Sequence, residues 1–115
     1  MSFEPPTPFP MPAAPELCAF HRTELMQILN VYGRMVAIGE WRDYAIDHLR
    51  DRAVFSIFRR AAERPIYRIE KCPKDARRQG AWSVIGMDGR VLRRGHELRL
   101  VLRVLERKLI RAVED

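Results

Sequence analysis

The sequence predicts an α+β domain in two layers: an N-terminal helix, a four- to five-stranded antiparallel meander sheet, and a C-terminal helix. Three observations predict it. Apolar residues recur every three or four positions between Arg22 and Ile38. The period moves toward two between Trp41 and Arg94, and returns to helical spacing from Leu98 to Ala112. At 115 residues the chain has room for one domain, which we place at 17–115. It is 47% apolar, too much for a disordered chain, and holds no apolar run near the roughly 20 residues a membrane span needs. Two cysteines cannot build a disulfide framework.

Each element follows in order. Residues 1–16 carry six of the eight prolines and read as a disordered tail of polyproline character. Pro5, Pro8 and Pro6, Pro10 roughly match proline-rich docking peptides, although a passive extension needs no partner. The tail has neither the basic start nor the apolar stretch of a secretory signal, so the expected compartment is the cytoplasm. In the first helix Leu25, Ile28, Leu29, Tyr32, Met35 and Val36 share one arc, with His21 or Thr23 as cap and Gly39 as left-handed terminator. Tyr44, Ile46 and His48 then alternate with Ala45, Asp47 and Leu49. Ala53 to Phe58 is apolar on both faces apart from Ser56, as an interior strand requires. Pro65 to Lys71 forms the next strand, and Ala81 to Ile85 and Arg90 to Arg93 flank Met87-Asp88-Gly89. Asp-Gly suits the positive φ angles of a tight hairpin. Cys72 to Gly80 is a basic loop. In the last helix Leu98, Leu102, Leu105, Leu109 and Ala112 form a core-facing seam, beside a stripe of Arg99, Arg103, Arg107 and Arg111. Leu100 and Val104 fall outside both stripes and suggest a homodimer contact through this helix.

Charge is distributed unevenly. The chain carries +6 overall, but residues 1–19 carry −2, residues 20–51 carry −1, and residues 52–115 carry +9. All bases are Arg except Lys71, Lys74 and Lys108. Arg is the better residue for bidentate phosphate contacts and for stacking, while a GC-rich genome writes Arg without any functional reason.

Several stretches carry a family resemblance: Phe20-His21-Arg22-Thr23-Glu24-Leu25, Tyr32-Gly33-Arg34-Met35-Val36, Gly39-Glu40-Trp41-Arg42-Asp43-Tyr44-Ala45-Ile46, Arg52-Ala53-Val54-Phe55-Ser56-Ile57-Phe58-Arg59-Arg60, Tyr67-Arg68-Ile69-Glu70-Lys71 and Arg94-Gly95-His96-Glu97-Leu98. Over about residues 17–113 the chain resembles a small bacterial family, domain-of-unknown-function family 2794. That resemblance implies no activity, cofactor, partner or site residue.

The chemistry therefore rests on the residues. Cys18 and His21 have Cys-x-x-His spacing, but His48, Cys72 and His96 are scattered, and a closed zinc site needs four ligands, so no metal and no cofactor is expected. The bases around Cys72 could lower its pKa and make it reactive, but an ordinary loop thiol is the better reading. Ser56, Ser83, His48, His96 and Asp47 sit in no nucleophile elbow, His96-Glu97 reads as the cap of the last helix, and the acids Glu40, Asp43 and Asp47 stand beside Arg42 and Arg50 as on a solvated surface. An enzyme ranks third. The first reading is a non-catalytic module contacting nucleic acid, RNA ahead of DNA, through Arg59, Arg60, Lys71, Lys74, Arg77, Arg78, Arg93, Arg94, Arg99 and Arg103, with Arg64 and Arg90 nearby and base stacking on Trp82 or Tyr67. The rival is a homodimeric interaction module whose arginines meet an acidic protein. Helix, strands and basic helix are also similar in outline to the double-stranded RNA-binding domain, though strand number differs and Gly95-His96-Glu97 replaces its lysine cluster.

Overall fold

The computed structural model describes residues 16–60 and 64–114, with side chains as far as 108. The Pro-rich segment 1–15 and the side chains of Leu109, Arg111 and Ala112 lie outside the described residues. The chain runs α1 (Arg22–Ala37), β1 (Asp43–His48), β2 (Ala53–Phe58), β3 (Tyr67–Lys71), a 3-10 turn (Pro73–Asp75), β4 (Trp82–Gly86), β5 (Val91–Gly95) and α2 (Leu98–Glu114). The five strands form one sheet in the order β1-β2-β3-β4-β5, each antiparallel to its neighbour. This is the predicted helix, meander and helix.

Local chemistry sets the boundaries. At the start of α1 the His21 backbone N–H donates to Glu24 Oε1 at 2.7 Å, which closes the first turn. At its end Gly39 has φ +81° and donates to the Val36 carbonyl at 2.9 Å, and the chain turns into β1. β3 begins at Tyr67 rather than Pro65, because proline has no N–H for the ladder. Gly95 pairs with Trp82 and so belongs to β5, and α2 begins at Leu98, where the Val101 N–H reaches the Glu97 carbonyl at 3.1 Å.

The register gives the sheet two unlike faces. Ile46, Phe55, Ile69 and Val84 form one cross-strand row; Tyr44, Ile57 and Tyr67 form the next. All of these but the more exposed Tyr44 join Ile28, Val31 and Met35 of α1 and Leu98, Val101, Leu102 and Leu105 of α2 in one core cluster. Phe55 and Ile57 are fully buried, and each such side chain contributes about 1.5–3 kcal/mol. The opposite face presents Asp47, Val54, Glu70, Ser83 and Arg94 in one row and Ala45, Ser56, Arg68 and Ile85 in the other. Among the described residues both helices pack on the first face.

α2 buries a wider arc than its leucine seam indicates. It lies against β4, β5 and α1 at once, so Val101 is 1% exposed, Val104 packs against the core and Leu100 is half-buried. Among the described residues of α2, Leu100 and Val104 do not make an exposed apolar face.

Candidate nucleic-acid interface

The meander sorts the bases to two ends of the sheet. One end gathers the start of β1, the β2–β3 connection and the β4–β5 hairpin. We call it the arginine end: it carries Arg42, Arg59, Arg60, Arg64 and Arg90, with Arg68 one residue into β3. The other, the loop end, gathers the β1–β2 turn, the β3–β4 loop and the end of β5, and carries Arg50, Arg52, Lys71, Lys74, Arg77, Arg78 and Arg94. Strands of five residues at roughly 3.3 Å per residue set the ends about 17 Å apart.

The ten residues singled out from the sequence are divided by this arrangement. Arg59 and Arg60 stand exposed at the arginine end, and Lys74, Arg77 and Arg78 stand exposed in the loop. Arg94 joins the loop group from the open face, where it pairs in register with Ser83. Arg93 is exposed on edge strand β5 and opposes Val84 on the helix-bearing face. Arg99 lines the outer groove between the helices with Gln27, Asn30 and Arg34, and Arg103 is exposed on α2.

Lys71 does different work. It points to the helix-bearing face, where its Nζ donates to Glu24 Oε1 at 2.7 Å and to the Ala19 carbonyl at 3.0 Å and sits 5.8 Å from the Trp82 ring centre. Its side chain is 12% exposed, so its charge is spent inside the fold. Arg52 is likewise engaged, with Nη1 3.0 Å from buried Glu70 and Nη2 3.2 Å from Asp51. Arg68 reaches the other Glu70 oxygen at 3.8 Å, and Glu106 pairs with Arg34 across the helices at 3.3 Å.

The arginine end is less compensated. The Arg42 N–H bonds the Phe58 carbonyl at 2.9 Å, next to the Asp43–Phe58 pair that ends the ladder, so Arg42 and Arg59 leave the sheet at the same end. With Arg60 they line a cavity of about 530 Å³ that also takes in Val36, Gly39 and Trp41. The acid within ion-pair range among the described residues is Glu40, 3.9 Å from Arg59. A second cavity at this end, of about 280 Å³, lies between Arg64, Arg68, Pro65 and the Met87–Gly89 turn.

Several expected features are absent at the surface. Trp82 is 6% exposed and stacks on Phe20 at 6.1 Å, so it offers no platform to a base; Tyr67 is half-buried beneath Lys108, whose Nζ lies 5.6 Å from its ring centre. The Cys72 thiol is not activated by its basic neighbours: burial pushes its pKa up, and Asp75 adds to the shift. Ser56 and Ser83 are buried on the open face while His48 sits in register with Ala53 on the other, so no nucleophile and base meet there. Cys18 lies 3.9 Å from the Lys71 carbonyl, and among the described residues no group of three or more His, Cys, Asp or Glu gathers to hold a metal. No described helix is long and apolar enough to cross a membrane.

Fold and surface together define a two-layer α+β domain with one helix-covered sheet face and guanidinium clusters at a sheet end. A family model described as protein of unknown function (DUF2794) matches residues 18–102, and the chain belongs to that family. No curated protein and no solved structure matches it.

Proposed function

We propose that this domain is a non-catalytic module that binds structured RNA through its phosphates. The arginine end makes the principal contact, and the Lys74, Arg77, Arg78 and Arg94 group makes the second. The observation that carries this reading is the meeting of Arg42, Arg59 and Arg60 from two chain segments around one cavity, where among the described residues the acid in ion-pair range is Glu40, 3.9 Å from Arg59. Such a cluster suits an anion. The burial of Trp41 and Trp82 favours a backbone contact over base stacking, and therefore a duplex or folded RNA over an unstructured strand.

The test is a fluorescence-polarisation titration with an RNA duplex, the matching single strand and a DNA duplex, each at two salt concentrations. Engagement of six or more phosphates predicts a loss of about 10³ in affinity between 50 and 200 mM salt. Absence of binding at the lower salt overturns the proposal. An acidic partner protein would show the same salt response without any RNA binding, so the RNA titration separates the two readings.

A further inference from the structure

We infer that the cavity at the arginine end binds a terminal phosphate monoester together with the base or other flat apolar body that carries it. The inference rests on the phosphate-binding reading above and names which phosphate is read. Three features lead to it. First, Arg42 from just before β1 and Arg59 and Arg60 from just after β2 bring three arginines to the lining of one cavity. An internal diester phosphate or a carboxylate carries one charge and is served by one bidentate arginine. A monoester carries nearly two charges and three terminal oxygens, and so matches three guanidiniums.

Second, the cavity holds more than a phosphate. About 530 Å³ lies within the range of small-molecule pockets, and beside the arginines its lining includes Val36, which is 40% exposed, and Trp41. An anionic head on the guanidiniums and an apolar body against Val36 suit this mixed lining. Third, the backbone leaves room. Gly39 turns there at φ +81°, and a Cβ built on it would meet nothing within 4 Å.

The ligand chemistry is shared by two sources, a free nucleoside monophosphate and the 5′-phosphorylated end of an RNA strand. The experiment uses the full chain and two probe pairs: 5′-AMP against adenosine by titration calorimetry, and one RNA strand with and without its 5′-phosphate by fluorescence polarisation. We expect 5′-AMP to bind about tenfold or more tightly than adenosine, with Arg42→Gln and Arg60→Gln each weakening 5′-AMP about fivefold or more. Arg77→Gln, at the other end, should leave it unchanged. A preference for the phosphorylated strand assigns the site to RNA ends; 5′-AMP binding without that preference assigns it to free nucleotide. Equal or undetectable binding of 5′-AMP and adenosine, with the two RNA strands bound equally, overturns the inference while leaving the general RNA reading intact. Should the RNA strands not bind at all while 5′-AMP does, the RNA reading fails and the cavity assignment stands. Circular dichroism melts of both glutamine variants accompany the titrations, and a variant that melts like the parent but still binds 5′-AMP fully also overturns it.

Discussion

The two ends of the sheet use the same residue type in opposite ways. At the loop end, Arg52 and Lys71 are tied to Asp51, Glu70 and Glu24 at 2.7–3.2 Å, beside the tight seat of Gly80 against Gly95. At the arginine end, Arg42, Arg59 and Arg60 line one cavity, and among the described residues the ion pair in reach is the 3.9 Å contact of Arg59 with Glu40. One end uses positive charge to hold elements together; the other gathers it around an opening. A net charge averaged over residues 52–115 cannot make that distinction.

The largest expected effect contrasts two glycines. Gly80 has φ +99°, and a Cβ there would run into the backbone carbonyl of Gly95, so Gly80→Ala should cost about 3 kcal/mol or more and bring the melting transition down sharply. Gly39 is also left-handed but faces open space, so Gly39→Ala should cost only about 1–2 kcal/mol. Equal losses from the two would remove the contrast in packing between the ends.

Next come the charges themselves. Lys71→Gln and Glu70→Gln each break a buried or partly buried contact and should each destabilise by about 1–3 kcal/mol in urea denaturation. Arg42→Gln changes an exposed side chain and leaves the Arg42 backbone bond to Phe58 in place, so it should change stability by about 0.5 kcal/mol or less. A loss at Arg42 as large as that at Lys71 would show that the arginine end is structural after all.

The smallest effects are titrations. The Cys72 thiol is raised by burial and by Asp75, and the Tyr32 hydroxyl is raised by burial and then by Asp43 and Tyr44. A raised pKa means that the fold favours the neutral form. This contribution is therefore whole below the ordinary thiol and phenol range and is lost as pH rises through the folded-state values. Stability should sag in strongly alkaline solution, and iodoacetamide should alkylate Cys72 more slowly in the folded chain than in urea at the same pH. Asp51 has the reverse sign: its hydrogen bond to Arg52 holds the carboxyl below the usual range, so its contribution is present at neutral pH and fades on strong acidification. Faster alkylation of the folded chain would contradict the buried, unactivated thiol.

Periodicity made most of this fold legible. Ala53–Phe58 announced an interior strand because both its faces are apolar, and Asp88-Gly89 announced the last hairpin because few residues accept its backbone angles. One buried seam along α2 leaves Leu100 and Val104 outside it, yet both are half-buried and Val104 packs against the core, since α2 meets both the sheet and α1. Lys71 could not be told from a surface base by its type. Its strand parity, shared with Tyr67 and Ile69, does place it on the helix-bearing face, and that signal was available in the sequence. Arg42 was harder. That it lines one cavity with Arg59 and Arg60 depends on the β1–β2 hairpin, which the Leu49 N–H to Arg52 carbonyl bond at 2.8 Å closes at the far end, a long-range consequence that no local pattern states.

The central claim, that the arginine end holds its charge for a phosphate ligand and not for the fold, is tested most directly by the salt dependence of duplex RNA binding in the triple variant Arg42→Gln, Arg59→Gln, Arg60→Gln. The account predicts a melting temperature close to the parent's and a log–log salt slope shallower by about two to three. A parental slope in a variant that folds as the parent does would contradict it.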